Sequence, residues 1–339
     1  MDLSRALHLL PNGQFLTSPR AKPKAVSIWH EHGYLQALIQ AETDGFVSDE
    51  IKSRHQIGTH TNPVFPEMWR RPATSAGGAL LAGELLARGG VVYHPAGGTH
   101  HAFPDRAGGF CYLNDPVLAM LSLRRNGARR IAYIDIDAHH PDGVEHGFAQ
   151  DTDCLMISVH EERRWPFTGQ ISDRGRGNVF NLPVPRGLND DEMAFIRDKL
   201  ILVQLEAFQP DAIVLQCGAD AVDEDPLSRL SLSNNAHWAI VETLKTHASR
   251  LLVLGGGGYN PWSVGRLWTG VWATLNGADI PDRLPSGAEA ILRSLEFKGN
   301  SRGRNPPAHW FTTLRDRPRH GAIRDEIRNR VAELTTRHG

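Results

Sequence analysis

Six short apolar runs, at residues 91–93, 131–136, 154–159, 179–184, 212–215 and 251–254, constrain this chain more than any other feature. Helical periodicity lies between several of them, clearest at 115–125, 190–208 and 234–247. Runs apolar on both faces that alternate with helices are strands of a mostly parallel sheet covered on both sides. The pattern predicts an α/β fold with one open, mostly parallel sheet of about eight strands flanked by helices. Further helices are expected over 1–10, ended by Pro11-Asn12-Gly13, over 29–41, and over 72–88, stopped by Gly89-Gly90. Residues 58–71, rich in Pro, Thr and aromatics, read as a surface loop. No repeat or low-complexity linker divides the chain, so 1–296 is read as a single α/β catalytic domain. Beyond it the composition turns to Lys, Arg, Gly, Asn and Pro, and a last helix carries Ile323, Ile327, Val331 and Leu334 on one stripe. Residues 297–339 are therefore expected to form a C-terminal extension.

Charge and cysteine usage exclude several function classes. A formal net charge of −1 and a pI near 7.0 give no basic footprint, so nucleic acid is not an expected direct partner. The N-terminal stretch lacks a signal-peptide pattern, and no apolar stretch reaches bilayer-spanning length. A cytoplasmic protein without membrane contact is expected. Cys111, Cys154 and Cys217 form neither a disulfide framework nor a CxxC site and read as packed, reduced thiols.

The chemistry concentrates in residues 130–147, RIAYIDIDAHHPDGVEHG. On a strand Asp135, Asp137 and His139 project to one face. Carboxylates so placed repel each other and are costly to desolvate unless they take up protons or a cation. An Asp-x-His pair opening into a loop presents oxygen and nitrogen ligands to a divalent metal. The plainer alternative, acids that cap a following helix, suits a lone Asp-x-Asp better than this run with His140 and Asp142 added. Other unusual polar residues also follow apolar runs: His100-His101, His160, Asp220, and Tyr259 after Gly255–Gly258. Open parallel sheets place their sites at the carboxyl ends of the strands. The four glycines lack GxGxxG spacing and a Walker lysine, and are expected to allow close backbone approach to a ligand.

The segments GGTHHAFPDRAGGFCYLND, YIDIDAHHPDGVEHGF, LQCGADAVDEDPL and LGGGGYN resemble, in order and spacing, the signature blocks of the histone deacetylase superfamily, which has the arginase/deacetylase fold. Among its members the chain looks closest to bacterial acetoin-utilisation-type and class I-like deacetylases. The resemblance implies a catalytic metal, Zn²⁺ with Fe²⁺ as the alternative, held by Asp137, His139 and Asp220. It implies tandem histidines backed by acids, Asp135 behind His100 and Asp142 behind His101, with His101 the principal base and acid and His100 mainly electrostatic. Tyr259 would polarise the substrate carbonyl. A structural K⁺ would lie by Asp135, Asp137, His139, Ser158 and the backbone near Val159. Gly109, Phe110, Trp165 and Leu227 would wall an apolar tunnel. The implied reaction removes an acetyl or similar acyl group from an amine such as acetyl-lysine. The other readings are an acetylpolyamine or other small-molecule amidohydrolase, a ureohydrolase of arginase type, and a catalytically weak regulatory binding protein.

The chain departs from the family in places. Pro141 stands where Gly is usual, Trp165 where Phe is common and Phe167 where Gly is. Thr61-Asn62-Pro63 occupies the place of an early acid that holds a peptide backbone in eukaryotic members. Family members open with a strand and a His-Pro-rich segment, whereas this chain starts within what resembles the following helix. An incomplete start or a differently built wall is expected. The oligomeric state is open between monomer and homo-oligomer.

Overall fold

A computed structural model describes residues 1–11, 14–297 and 306–336. The expected turn at Asn12-Gly13, and residues 298–305 and 337–339 of the C-terminal extension, lie outside the described residues. One sheet of six strands is present among the described residues, where about eight were expected. The strands are β1 (Gly90–His94), β2 (Ile131–Asp135), β3 (Cys154–Glu161), β4 (Val179–Val184), β5 (Ala212–Gln216) and β6 (Arg250–Leu254). They run parallel throughout in the order β1-β6-β5-β2-β3-β4. Every position of β2, β3 and β5 is buried, as strands covered on both faces require.

Alternation along β2 divides the core in two. Ala132 and Ile134 join Ile157, Ile213 and Leu215 beneath the helices Asn234–Leu244 and Pro261–Leu275. Ile131 and Tyr133 join Met156 and Val214 on the opposite face, beneath Arg70–Leu85 and Asp115–Arg125. Small residues let those last two helices approach closely, since a Cβ added at Gly83 would overlap Ser122. A third cluster, including Tyr34, Leu38, Ile57, Met68 and Ala73, packs the helices His32–Asp44 and Asp49–His55. The loop expected at 58–71 has no regular element before its final residues, yet Asn62 and Met68 are buried, so it is pinned rather than free.

The C-terminal segment packs on the same core. Trp310 and Leu314 are buried in it, as are Ile327, Val331 and Leu334 of the helix Asp325–Thr335, while Ile323 precedes that helix. Arg330 donates to the Pro183 carbonyl on β4 at 2.6 Å and to Glu162 at 2.8 Å. No helix among the described residues is long and apolar enough to cross a membrane.

For function the decisive feature is strand order. The chain proceeds from β2 outward through β3 and β4, then returns to the other side of β2 with β5 and β6. Such a reversal opens a crevice at the strands' carboxyl ends. There Asp135 is in register with Ser158 of β3 and with Gln216 of β5.

Candidate metal and catalytic site

The loops leaving β2 and β5 bring Asp137, His139 and Asp220 together, with one ligand atom from each within 4.8 Å of the others. His139 Nδ1 lies 2.9 Å from Asp220 Oδ2 and 3.2 Å from Asp137 Oδ1. Backbone amides orient the carboxylates: Gly257 N donates to Asp137 Oδ2 at 2.8 Å and Ala138 N to Asp220 Oδ1 at 2.9 Å. The glycines are there because nothing larger fits. A Cβ on Gly257 would overlap Asp220 Oδ2, one on Gly218 would overlap Asp137 Oδ2, and one on Gly256 would stand 3.0 Å from Asp137 Oδ2. Gly256 also has φ of 140°, which favours glycine. The tetraglycine run thus brings its backbone against both carboxylates.

These donors fit a divalent cation. Burial raises the Asp220 carboxyl to about 7, and the Asp137 charge adds to the rise. Burial opposes ionisation of Asp137 too, yet His100 and His139 hold it below the ordinary range. Two carboxylates buried this close oppose one another's ionisation, and a cation between them would relieve both. Two oxygens and one imidazole nitrogen suit Zn²⁺ with a position left open. When bound, the metal would supply Lewis acidity for a carbonyl and for an attacking water.

The tandem histidines stand beside this centre, each backed by its expected acid. His100 Nδ1 is 2.8 Å from Asp135 Oδ2, His101 Nδ1 is 2.7 Å from Asp142 Oδ1, and the two Nε2 atoms are 2.9 Å apart. Burial works to lower His100, but Asp135 and Asp137 outweigh it and lift it to about 9. Burial, joined by the charge on His100, brings His101 down to about 3. Two carboxylates thus favour charge on His100, and the adjacent His100 disfavours it on His101. Tyr259 is 38% exposed, and partial burial together with Asp220 and Asp137 pushes its hydroxyl above the ordinary range, so it stays a donor. Its backbone N–H donates to Asp225 Oδ2 at 2.6 Å.

Of the expected wall residues, Gly109 and Trp165 lie against His101. The Trp165 ring packs edge-on to His101 at 4.6 Å between centroids, and a Cβ on Gly109 would overlap it. Phe110, Trp165, Leu227 and the unexpected Phe167 expose apolar surface. Asn62, in the place of the eukaryotic acid, is buried, accepting from Phe110 N at 2.9 Å and donating to the Gln56 carbonyl at 3.0 Å. Ser158 Oγ is 2.8 Å from His160 Nδ1, and the Val159 side chain enters the core on the other face. His140 binds no site group. Its ring lies 2.9 Å from Thr168 Oγ1 and 3.0 Å from Glu145 Oε2, a structural tie.

Several contributors have no local signature. The Tyr133 hydroxyl donates to Asp135 Oδ2 at 2.6 Å and lies 2.9 Å from Gln216 Oε1. Asn114 Nδ2 donates to the carbonyls of His100 (3.2 Å) and Ala102 (2.8 Å). A polar residue closing the buried run of β5 is the one signal that points to Gln216.

Comparison with known proteins agrees with the geometry. Residues 1–275 match the histone deacetylase domain. Acetoin utilization protein AcuC of Bacillus subtilis is 33% identical over 298 residues, 84% of this chain and 77% of that protein. Human histone deacetylase 1 is 34% identical over 274 residues, 78% of this chain, which spans 56% of the human protein. The crystal structure of an HDAC homolog from Aquifex aeolicus superposes with a TM-score of 0.93 at 33% identity, covering 98% of this chain and 91% of that one. A crystal structure of an HDAC homolog complexed with SAHA matches equally well. The chain belongs to the histone deacetylase family.

Proposed function

We propose that the chain is a metal-dependent deacylase that removes an acetyl or similar acyl group from an amine such as acetyl-lysine. The carrying observation is one crevice holding three metal-type ligands and two acid-backed histidines, with Tyr259 following the glycine run that binds Asp137. Asp137, His139 and Asp220 would hold Zn²⁺, with Fe²⁺ the alternative, and metal analysis decides between them. His101 Nε2 takes a proton from the attacking water while Nδ1–H donates to Asp142, and it returns that proton to the departing amine nitrogen. His100, held as a cation by Asp135, offsets negative charge developing beside it. The Tyr259 hydroxyl donates to the carbonyl oxygen as it becomes an oxyanion. Gly109, Phe110, Trp165 and Leu227 exclude water from the methylene chain. A K⁺ ion by Asp135, Asp137, His139, Ser158 and the Val159 backbone would relieve the repulsion of the two aspartates. The register pairing of Asp135 with Ser158 supports that placement.

Zinc-loaded protein should release acetate from acetyl-lysine substrates, and Tyr259→Phe and His101→Ala should each lower kcat by about a hundredfold or more. Unchanged turnover in either variant would overturn the assignment. Acetylpolyamines and longer acyl-lysines belong in the same screen as competing substrates. Urea release with two manganese ions per chain would instead indicate a ureohydrolase. Metal binding without turnover on any of these substrates would leave a binding protein.

A further inference from the structure

Tyr259 works only if its hydroxyl stands where the oxyanion forms, yet the ring is partly exposed and follows four glycines. Something outside that run must hold it. Its backbone N–H is bound by Asp225, and the next residue, Asn260, donates through Nδ2 to the Glu224 carbonyl at 3.2 Å. Residues 223–225 thus carry the tyrosine, and they are anchored from the C-terminal segment. The Arg319 guanidinium donates to Glu224 Oε1 at 2.9 Å and lies 3.1 Å from Asp223 Oδ2. Arg319 N–H is itself fixed on Asp190 Oδ2 at 2.9 Å. The same segment grips the helix Pro261–Leu275 that follows Tyr259. Fully buried Arg266 pairs with Asp316 and donates to the Thr313 carbonyl at 2.8 Å. Glu224, His309 and Asp316 also approach as a metal site would, but Arg319 and Arg266 already balance the two carboxylates.

We infer that Arg319, acting through Glu224 and Asp223, is a positioning residue for Tyr259, so that the C-terminal segment sets the geometry of carbonyl polarisation. The inference rests on the deacylase reading, in which Tyr259 donates to the oxyanion. With the Arg319 anchor removed, the buried Glu224 carboxylate loses its cation and the 223–225 segment shifts, taking the backbone that carries Tyr259 with it. A displacement of this kind costs rate rather than substrate affinity.

A double-mutant cycle in zinc-loaded full-length protein tests this. Arg319→Ala should lower kcat by about tenfold with KM within about twofold, and Arg319→Lys should restore most of the loss. In a Tyr259→Phe background, where no hydroxyl remains to position, Arg319→Ala should change kcat by less than about twofold. Isosteric Glu224→Gln removes the same ion pair and carries the same expectation should Arg319→Ala fold poorly. Equal losses in both backgrounds, a loss confined to KM, or unchanged kcat in the Arg319→Ala or Glu224→Gln single variant would overturn the inference. An inactive wild type, or a Tyr259→Phe variant as active as wild type, would instead overturn the deacylase reading.

Discussion

Gly257 has no room for a side chain, and that converts a backbone detail into a metal-binding requirement. A methyl at this position would occupy the space of Asp220 Oδ2, while the Gly257 N–H must stay 2.8 Å from Asp137 Oδ2. The Asp137 and Asp220 side chains it would press on are buried and cannot give way cheaply. Gly257→Ala should therefore lose bound zinc, measured as metal per chain after dialysis against a defined free-zinc buffer; retention at wild-type stoichiometry would contradict the geometry. A second residue-scale prediction concerns His30, whose Nε2 accepts from Asn114 N at 3.0 Å. Asn114 in turn fixes the His100 and Ala102 carbonyls. Burial lowers His30 from 6.5 to about 4. The unfolded chain takes the proton first, so acid favours unfolding. Stability from this group is whole above pH 6.5 and is lost as pH falls toward about 4. The gap corresponds to about 3 kcal/mol. Wild type and His30→Gln should differ in stability by a constant amount above pH 7, and the gap should close with acid. A gap independent of pH would show that His30 titrates alike in the folded and the unfolded chain.

Elements were more legible in the sequence than the contacts between them. Each apolar run became a strand because a parallel strand covered on both faces has no polar position to spare until its carboxyl end. That same rule made Asp137, Asp220 and Tyr259 visible as residues just past a strand. Tyr133, Gln216 and Asn114 escaped it because their partners lie far along the chain or sit within an element's own apolar pattern. Asn62 shows the converse: it stands in the place of an acid that holds a peptide backbone in eukaryotic members, but here it is a buried amide that bonds Phe110 N within the loop. The C-terminal helix was readable as a stripe, although a stripe does not say where it docks. Its three buried apolar residues face the same core as β3 and β4. Leu334→Ala should destabilise the protein by about 3 kcal/mol in urea unfolding, while kcat/KM stays within about twofold, because the residue fills core and touches no site group. A silent mutation there would mean that the helix contributes no packing energy.

At the scale of the whole molecule the candidate metal centre joins the loops leaving two central strands, β2 and β5, whose sequences lie about eighty residues apart. Binding that requires both loops in place stabilises the folded state alone, by about 4 kcal/mol when free zinc is a thousandfold above its dissociation constant. The metal-free protein bears the opposite burden: Asp137 and Asp220 are buried side by side with His139 as their shared counter-charge. Asp220→Asn keeps the size of the side chain and the oxygen that accepts from Ala138 N, but deletes one carboxylate charge. Without metal, Asp220→Asn should then melt at or above the temperature of chelated wild type. With zinc, only wild type should gain, so the order of the two proteins reverses. A wild type whose Tm ignores zinc would remove the centre from the account of this fold. A variant that melts well below metal-free wild type would show that the two carboxylates do not oppose one another, since charge relief and metal linkage predict opposite signs in the two conditions.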